Sequence, residues 1–134
     1  MSTIPPLHRT LLPHFAALLA MAALTACAST SFRAPTGTPF QLSPGQQAVL
    51  RDGATLTYVH VAQDSRCPPK VQCIRAGDAD VVFEHRPVGG VPRRLTLNLP
   101  EAPDARIGAF TLRILALEFD ERPKATLRVD TATP

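Results

Sequence analysis

Two of the three cysteines in this 134-residue chain, Cys67 and Cys73, fall in the stretch DSRCPPKVQCIRAGDADVVF, residues 64–83. Two thiols at that spacing could ligate a metal, cycle as a redox couple, or bond to each other and close a loop. A metal would need His60 or His85 as further ligands, since the other two histidines and both methionines lie in the first 26 residues. The cysteine spacing is not that of zinc ribbons or fingers, in which ligand pairs are two to four residues apart. A redox couple ordinarily takes the form C-x-x-C at the start of a helix, which lowers one thiol's pKa. Here five residues intervene, Pro68 and Pro69 among them. A closed ring would instead present Lys70 near its middle, with Arg66 and Arg75 beside it, as candidate contact residues. Rigid loops bind well because their ordering cost is met beforehand, and a protease-inhibitor loop aimed at a trypsin-like pocket is one version. Asp64 and Ser65 open the stretch, and such residues ordinarily bond nearby backbone amides. No Ser/His/Asp set, Gly-rich phosphate loop or paired-acid signature is visible, so no catalytic residue is assigned.

The compartment decides between these chemistries. Residues 1–26 have the layout of an export signal: Arg9 is the only Lys or Arg, and the apolar run FAALLAMAAL follows from Phe15 to Leu24. That run is too short for a permanent membrane span, which needs about 20 apolar residues. It ends in Leu24, Thr25, Ala26 and Cys27. This LTAC sequence resembles the lipobox of bacterial lipoproteins. The resemblance implies cleavage before Cys27, a diacylglyceryl group on its thiol and acylation of the new amine, so that Cys27 is the membrane anchor. One acyl chain holds a membrane only marginally, whereas two or more hold it stably, at about 0.8 kcal/mol per buried CH2. Ala28 and Ser29 carry no acidic inner-membrane retention signal, which favours an outer-membrane location facing the periplasm.

An exported protein meets an oxidising space, and Cys67 and Cys73 are the even pair left once Cys27 is acylated. Their expected state is a disulfide, worth about 2 kcal/mol for so small a ring in the chain-entropy estimate. Leaving out residues 1–26 removes one of 14 basic residues and none of the 11 acids, so the remainder carries a formal charge of +2. That balance argues for neither nucleic acid nor a polybasic membrane patch.

The elements that must position the loop read as strands. Residues 27–39 comprise the acylated cysteine and a Ser-, Thr-, Pro- and Gly-rich stretch that reads as a flexible tether. A domain at 40–130 follows, near the small end for an unaided core. Phe40 and Leu42 alternate; Ala48 and Leu50 do so after the SPG turn at 43–45. ATLTYVHVA, 54–62, places Leu56, Tyr58 and His60 on one face and Thr55, Thr57, Val59 and Val61 on the other, as in a central strand covered on both sides. DADVVFEH, 78–85, and RRLTLNL, 93–99, alternate cleanly across a PVGGVP hairpin loop. PEAPDAR, 100–106, reads as a polar loop. In FTLRILALEF, 110–119, Phe110, Leu112 and Ile114 share one parity and Leu115, Leu117 and Phe119 the other, which suggests a bulge or a strand passing from one face to another. Phe110, Ile114 and Leu117 also fit a helix face, but Thr and Ile inside the run and the neighbouring strands favour a strand. ATLRV, 125–129, closes the set. About seven short strands predict an all-β fold, a small antiparallel sandwich, immunoglobulin-like or barrel-like, although cysteines this close in sequence are not the immunoglobulin pair.

Asp64, Ser65, Arg66, Cys67, Pro68, Val71, Cys73, Ile74, Ala76 and Gly77 together resemble a DSRCP-x-x-V-x-C signature of small exported bacterial proteins. Arg75 stands where a Trp is usual, so no role for that aromatic carries over. The resemblance implies an exported β domain with a disulfide-closed loop and no known activity. The expectation is therefore a lipid-anchored envelope protein with a non-enzymatic binding or structural role, without cofactor, touching the membrane through Cys27 and an envelope protein partner. The alternative is a periplasmic protease inhibitor or metal-binding protein that uses the Cys67–Cys73 loop.

Overall fold

The computed structural model describes residues 31–133; Cys27, the expected signal segment and the first residues of the expected tether lie outside the described residues. Among the described residues nine strands form two packed sheets, a small β-sandwich. The first sheet has the order β1 (Phe32–Arg33), β3 (Gln47–Val49), β4 (Thr55–Asp64), β5 (Ala79–Arg86), β6 (Arg93–Leu99). The second has the order β2 (Phe40–Leu42), β9 (Ala125–Thr131), β8 (Phe110–Leu117), β7 (Asp104–Ile107). All ladders are antiparallel except β1 on β3.

Period-two alternation makes the core. Leu56, Tyr58, Val81, Phe83 and Leu97 point inward from the first sheet. Leu42, Leu112, Ile114, Leu127 and Val129 meet them from the second. Each such side chain contributes about 1.5–3 kcal/mol when taken fully out of water. Burial pushes the Tyr58 phenol up to about 12. Its hydroxyl donates to the Pro123 carbonyl at 2.9 Å, which ties β4 to the turn between β8 and β9.

Four expectations need correction. The tether does not run to Pro39: β1 pairs with β3, Ala34 is buried and donates its N–H to the Val49 carbonyl, and Gly37 donates to the Val129 carbonyl. Residues 32–37 thus cross from one sheet to the other, and backbone pairing rather than apolar content holds them. The segment read as a polar loop at 100–106 contains most of β7, which is paired with β8 and secured by Ile107 in the core and an Asp104–Arg113 ion pair.

The third correction concerns β4. It is central in its sheet, but only one face is covered by the second sheet, and Thr55, Thr57 and Val59 on the other are half-buried. The fourth follows from two irregularities in its pairing with β5, between Tyr58 and His60 and between Val61 and Gln63. Each extra residue flips the side-chain phase. His60 therefore turns out to solvent, and Val61 packs against the core instead. The predicted bulge in β8 is present between Ile114 and Ala116; Ile114 and Leu117 both face the core while Leu115 and Phe119 are exposed.

Candidate functional site

The two bulges of β4 carry Asp64 onto the inner side, opposite buried Ala79, at the rim where the chain leaves the sheet. The segment from Ser65 to Asp78 then extends β4 and β5 as a narrow stem. Ser65 N–H donates to the Asp78 carbonyl and Cys67 N–H to the Ala76 carbonyl, each at 2.8 Å. Above this ladder the sulfurs of Cys67 and Cys73 stand at disulfide distance, with Cα atoms 5.8 Å apart.

Below the ring, Arg66 is not a contact residue. Its side chain is only 10% exposed. The guanidinium grips Asp64 with Nε at 2.8 Å from Oδ1 and Nη2 at 2.6 Å from Oδ2. It also crosses to the second sheet, donating to the Leu117 carbonyl at 2.6 Å and the Glu118 carbonyl at 2.9 Å. The Phe119 ring lies 4.1 Å beneath it. A planar fork with five donors suits this geometry, and Lys would not replace it. The hydrogen bonds from Arg66 hold the Asp64 carboxyl below its ordinary value, against the opposing effect of burial.

A second network closes the other side of the stem. The Ser65 hydroxyl donates to the Asp78 carboxylate at 2.9 Å and accepts the Asp78 N–H at 3.2 Å. Asn98 donates to both Asp78 and Asp80, at 2.7 and 2.8 Å. Hydrogen bonds from Asn98, Ser65 and Gln63 keep the Asp78 carboxyl below its ordinary value. Asp64 and Ser65 thus bond to their neighbours, as their types suggested. Gly77, with φ +69°, completes the stem, because a Cβ there would overlap the Ser65 carbonyl.

Six residues of this segment thus have architectural roles. Asp64 and Arg66 clamp, Ser65 and Gly77 seal, and Cys67 and Cys73 close. What remains free is the tip. Pro69 and Lys70 occupy the centre of a turn in which Val71 N–H meets the Pro68 carbonyl at 3.3 Å, and Lys70 has φ 67°. A left-handed lysine costs about 1 kcal/mol relative to glycine. Lys70 and Arg75 are exposed, Val71 is 57% exposed and Ile74 is fully exposed at 104%. The solvent-facing apolar pair was not anticipated, because Val71 and Ile74 read in sequence as ordinary loop residues. Only the closed ring shows that they have no core to reach.

The histidines that a metal site would need do not come to this loop. His60 projects from the outer side of β4, and His85 lies at the far end of β5. There the mouth between the sheets forms an open cleft of about 570 Å3, bordered by His85, Val91, Arg93, Arg94, Arg106 and Ile107. His85 is 7% exposed and its Nε2 has no hydrogen-bond partner. Burial lowers its pKa, with Asp52 opposing the shift, so the ring is neutral at pH 7. No cluster of three or more metal-ligating side chains occurs among the described residues.

No protein-family model matches the chain, and no curated protein or solved structure shows significant similarity to it.

Proposed function

We propose that this chain is a lipid-anchored, non-enzymatic protein of the bacterial cell envelope, held through Cys27 at the periplasmic face of the outer membrane and acting by contact through its disulfide-closed loop. One observation carries the reading: Asp64, Ser65, Arg66, Asp78 and Asn98 at the base of the loop are engaged with one another or with backbone carbonyls, while the tip offers Lys70, Val71, Ile74 and Arg75 to solvent. Apolar side chains held in water on a rigid support favour recognition, since little ordering cost remains on binding. The left-handed backbone at Lys70 points the same way, because glycine or asparagine would fill that turn with less strain. It also sets the tip apart from the extended strand geometry by which a protease cleft holds a chain, which disfavours the inhibitor alternative.

Fractionation tests the anchor and cross-linking tests the loop. Cys27→Ser should move the protein from the membrane to the soluble periplasm; retention of an unacylated protein in the membrane would contradict the reading. A photoreactive residue at position 74 of the anchored protein should give adducts in cells that the same residue at position 88, at the other end of the sandwich, does not. Equal yields at the two positions would remove the loop as the contact surface.

A further inference from the structure

The binding surface proposed above has a specific occupant in reach. Pairing of β1 with β3 begins at Phe32, five residues after Cys27. Five residues span at most about 18 Å. The sandwich is longer than that: six residue steps along β5 separate the level of Phe32 and Leu56 from the base of the loop, about 20 Å, and the stem adds to it. A domain acylated at Cys27 therefore has Phe32 within about 18 Å of the bilayer, less than the distance from Phe32 to the tip of the loop. β1 runs parallel to β3 and opposite to β4, so the chain enters β1 from the side of the loop end, and an anchor on that side brings the loop toward the bilayer.

The loop end carries the chemistry a lipid surface recognises. Cys67–Ala76 contains Lys70 and Arg75 and no acid, around exposed Val71 and Ile74. The neighbouring turn at 118–124 is of mixed charge, with Glu118, Asp120 and Glu121 against Arg122 and Lys124, which confines a favourable contact to the tip. Apolar side chains bordered by cations suit the boundary between acyl chains and anionic headgroups. We propose that the tip, Pro68 to Arg75, is a second membrane contact: Val71 and Ile74 enter the interfacial layer of an anionic bilayer, and Lys70 and Arg75 take its phosphates. This rests on acylation of Cys27.

The chain contains no tryptophan, so a single introduced indole reports depth without background. The acylated protein carrying Ile74→Trp is reconstituted in vesicles containing phosphatidylglycerol, some with lipids brominated near the headgroup, and compared with Val88→Trp. Val88 is exposed at the opposite end of the sandwich. Bromine quenching of the residue-74 indole should exceed that at residue 88 by about threefold, as for a group ~5–10 Å below the surface against one in water. Lys70→Glu with Arg75→Glu should bring it down to the residue-88 level, as should vesicles of zwitterionic lipid alone. Equal quenching in a protein that floats with vesicles and carries acyl mass overturns the loop contact and leaves the anchor standing. A residue-74 indole open to aqueous iodide until a soluble protein covers it overturns it in favour of a protein partner. Absence of both flotation and acyl mass overturns the anchor and this inference with it.

Discussion

Replacing Arg66 by Met should remove about 3 kcal/mol of stability. The side chain makes two charged hydrogen bonds to backbone carbonyls of the opposite sheet, at 2.6 and 2.9 Å, each worth roughly 1.5–3 kcal/mol net. Stacking on Phe119 at 4.1 Å adds about 0.5–1 kcal/mol. These contributions share one guanidinium and do not sum. Breaking a buried ion pair costs about 3–5 kcal/mol, mostly through the charge left behind. Asp64 is 32% exposed, so water recovers part of that loss and the low end applies. Urea denaturation with the disulfide intact measures it: at a slope of about 1.5 kcal/mol/M the midpoint falls by about 2 M. Asp64→Asn alone should cost less, because the carbonyl bonds survive, and the double variant should cost less than the two singles together. The acid limb supplies a second reading. Asp64 is depressed in the folded state, so its contribution is present above its ordinary pKa and lost as pH falls through the folded value. Arg66→Met should flatten that limb. A loss under about 1 kcal/mol with an unchanged acid limb would refute the clamp.

Three further outcomes are expected. Gly77→Ala should destabilise by about 2 kcal/mol more than Gly89→Ala in thermal melts, since both glycines have positive φ but only the first abuts a carbonyl; equal losses would mean that the stem yields freely. Cys67→Ser with Cys73→Ser should lower stability by about 2 kcal/mol and speed amide hydrogen exchange at 68–75, with protection at Ile114 and Leu127 kept. His85→Leu should be neutral or stabilising by up to about 1 kcal/mol, because it removes an unpaired nitrogen from the core. Since the folded pKa of His85 is depressed, the wild type should lose stability as pH falls from about 6.5 toward the folded value, and the variant should not; parallel melting curves at pH 5 and 8 would contradict this.

The sandwich was legible because seven of its strands show alternation. Each pairs one face with a core and the other with water, so Phe83 and Glu84, or Leu97 and Thr96, declare their sides without help. The two strands that escaped are short and held by backbone pairing, which side-chain type does not report: β1 is FR, and β7 lies among prolines and charges. The bulge in β8 left a parity break among large apolar residues and was visible. Those in β4 occur where Val59, Val61 and Gln63 suit either face, so the outward turn of His60 had no signal. At the loop, the pairing of Cys67 with Cys73 followed from thiol chemistry and an expected oxidising compartment. Arg66 was misread because its partners, the Leu117 and Glu118 carbonyls, lie some 50 residues away and a carbonyl leaves no mark in sequence.

Strand β1 is only two residues long, yet it occupies the edge of β3 that would otherwise offer its N–H and C=O groups to any passing chain. A chain begun at Phe40, where composition alone would start the domain, keeps nearly all of the core but uncovers that edge and loses the crossing at Thr36 and Gly37. Such a protein would fold and then self-associate edge to edge. The two residues of β1 are thus a guard against aggregation, a role that their side chains do not reveal.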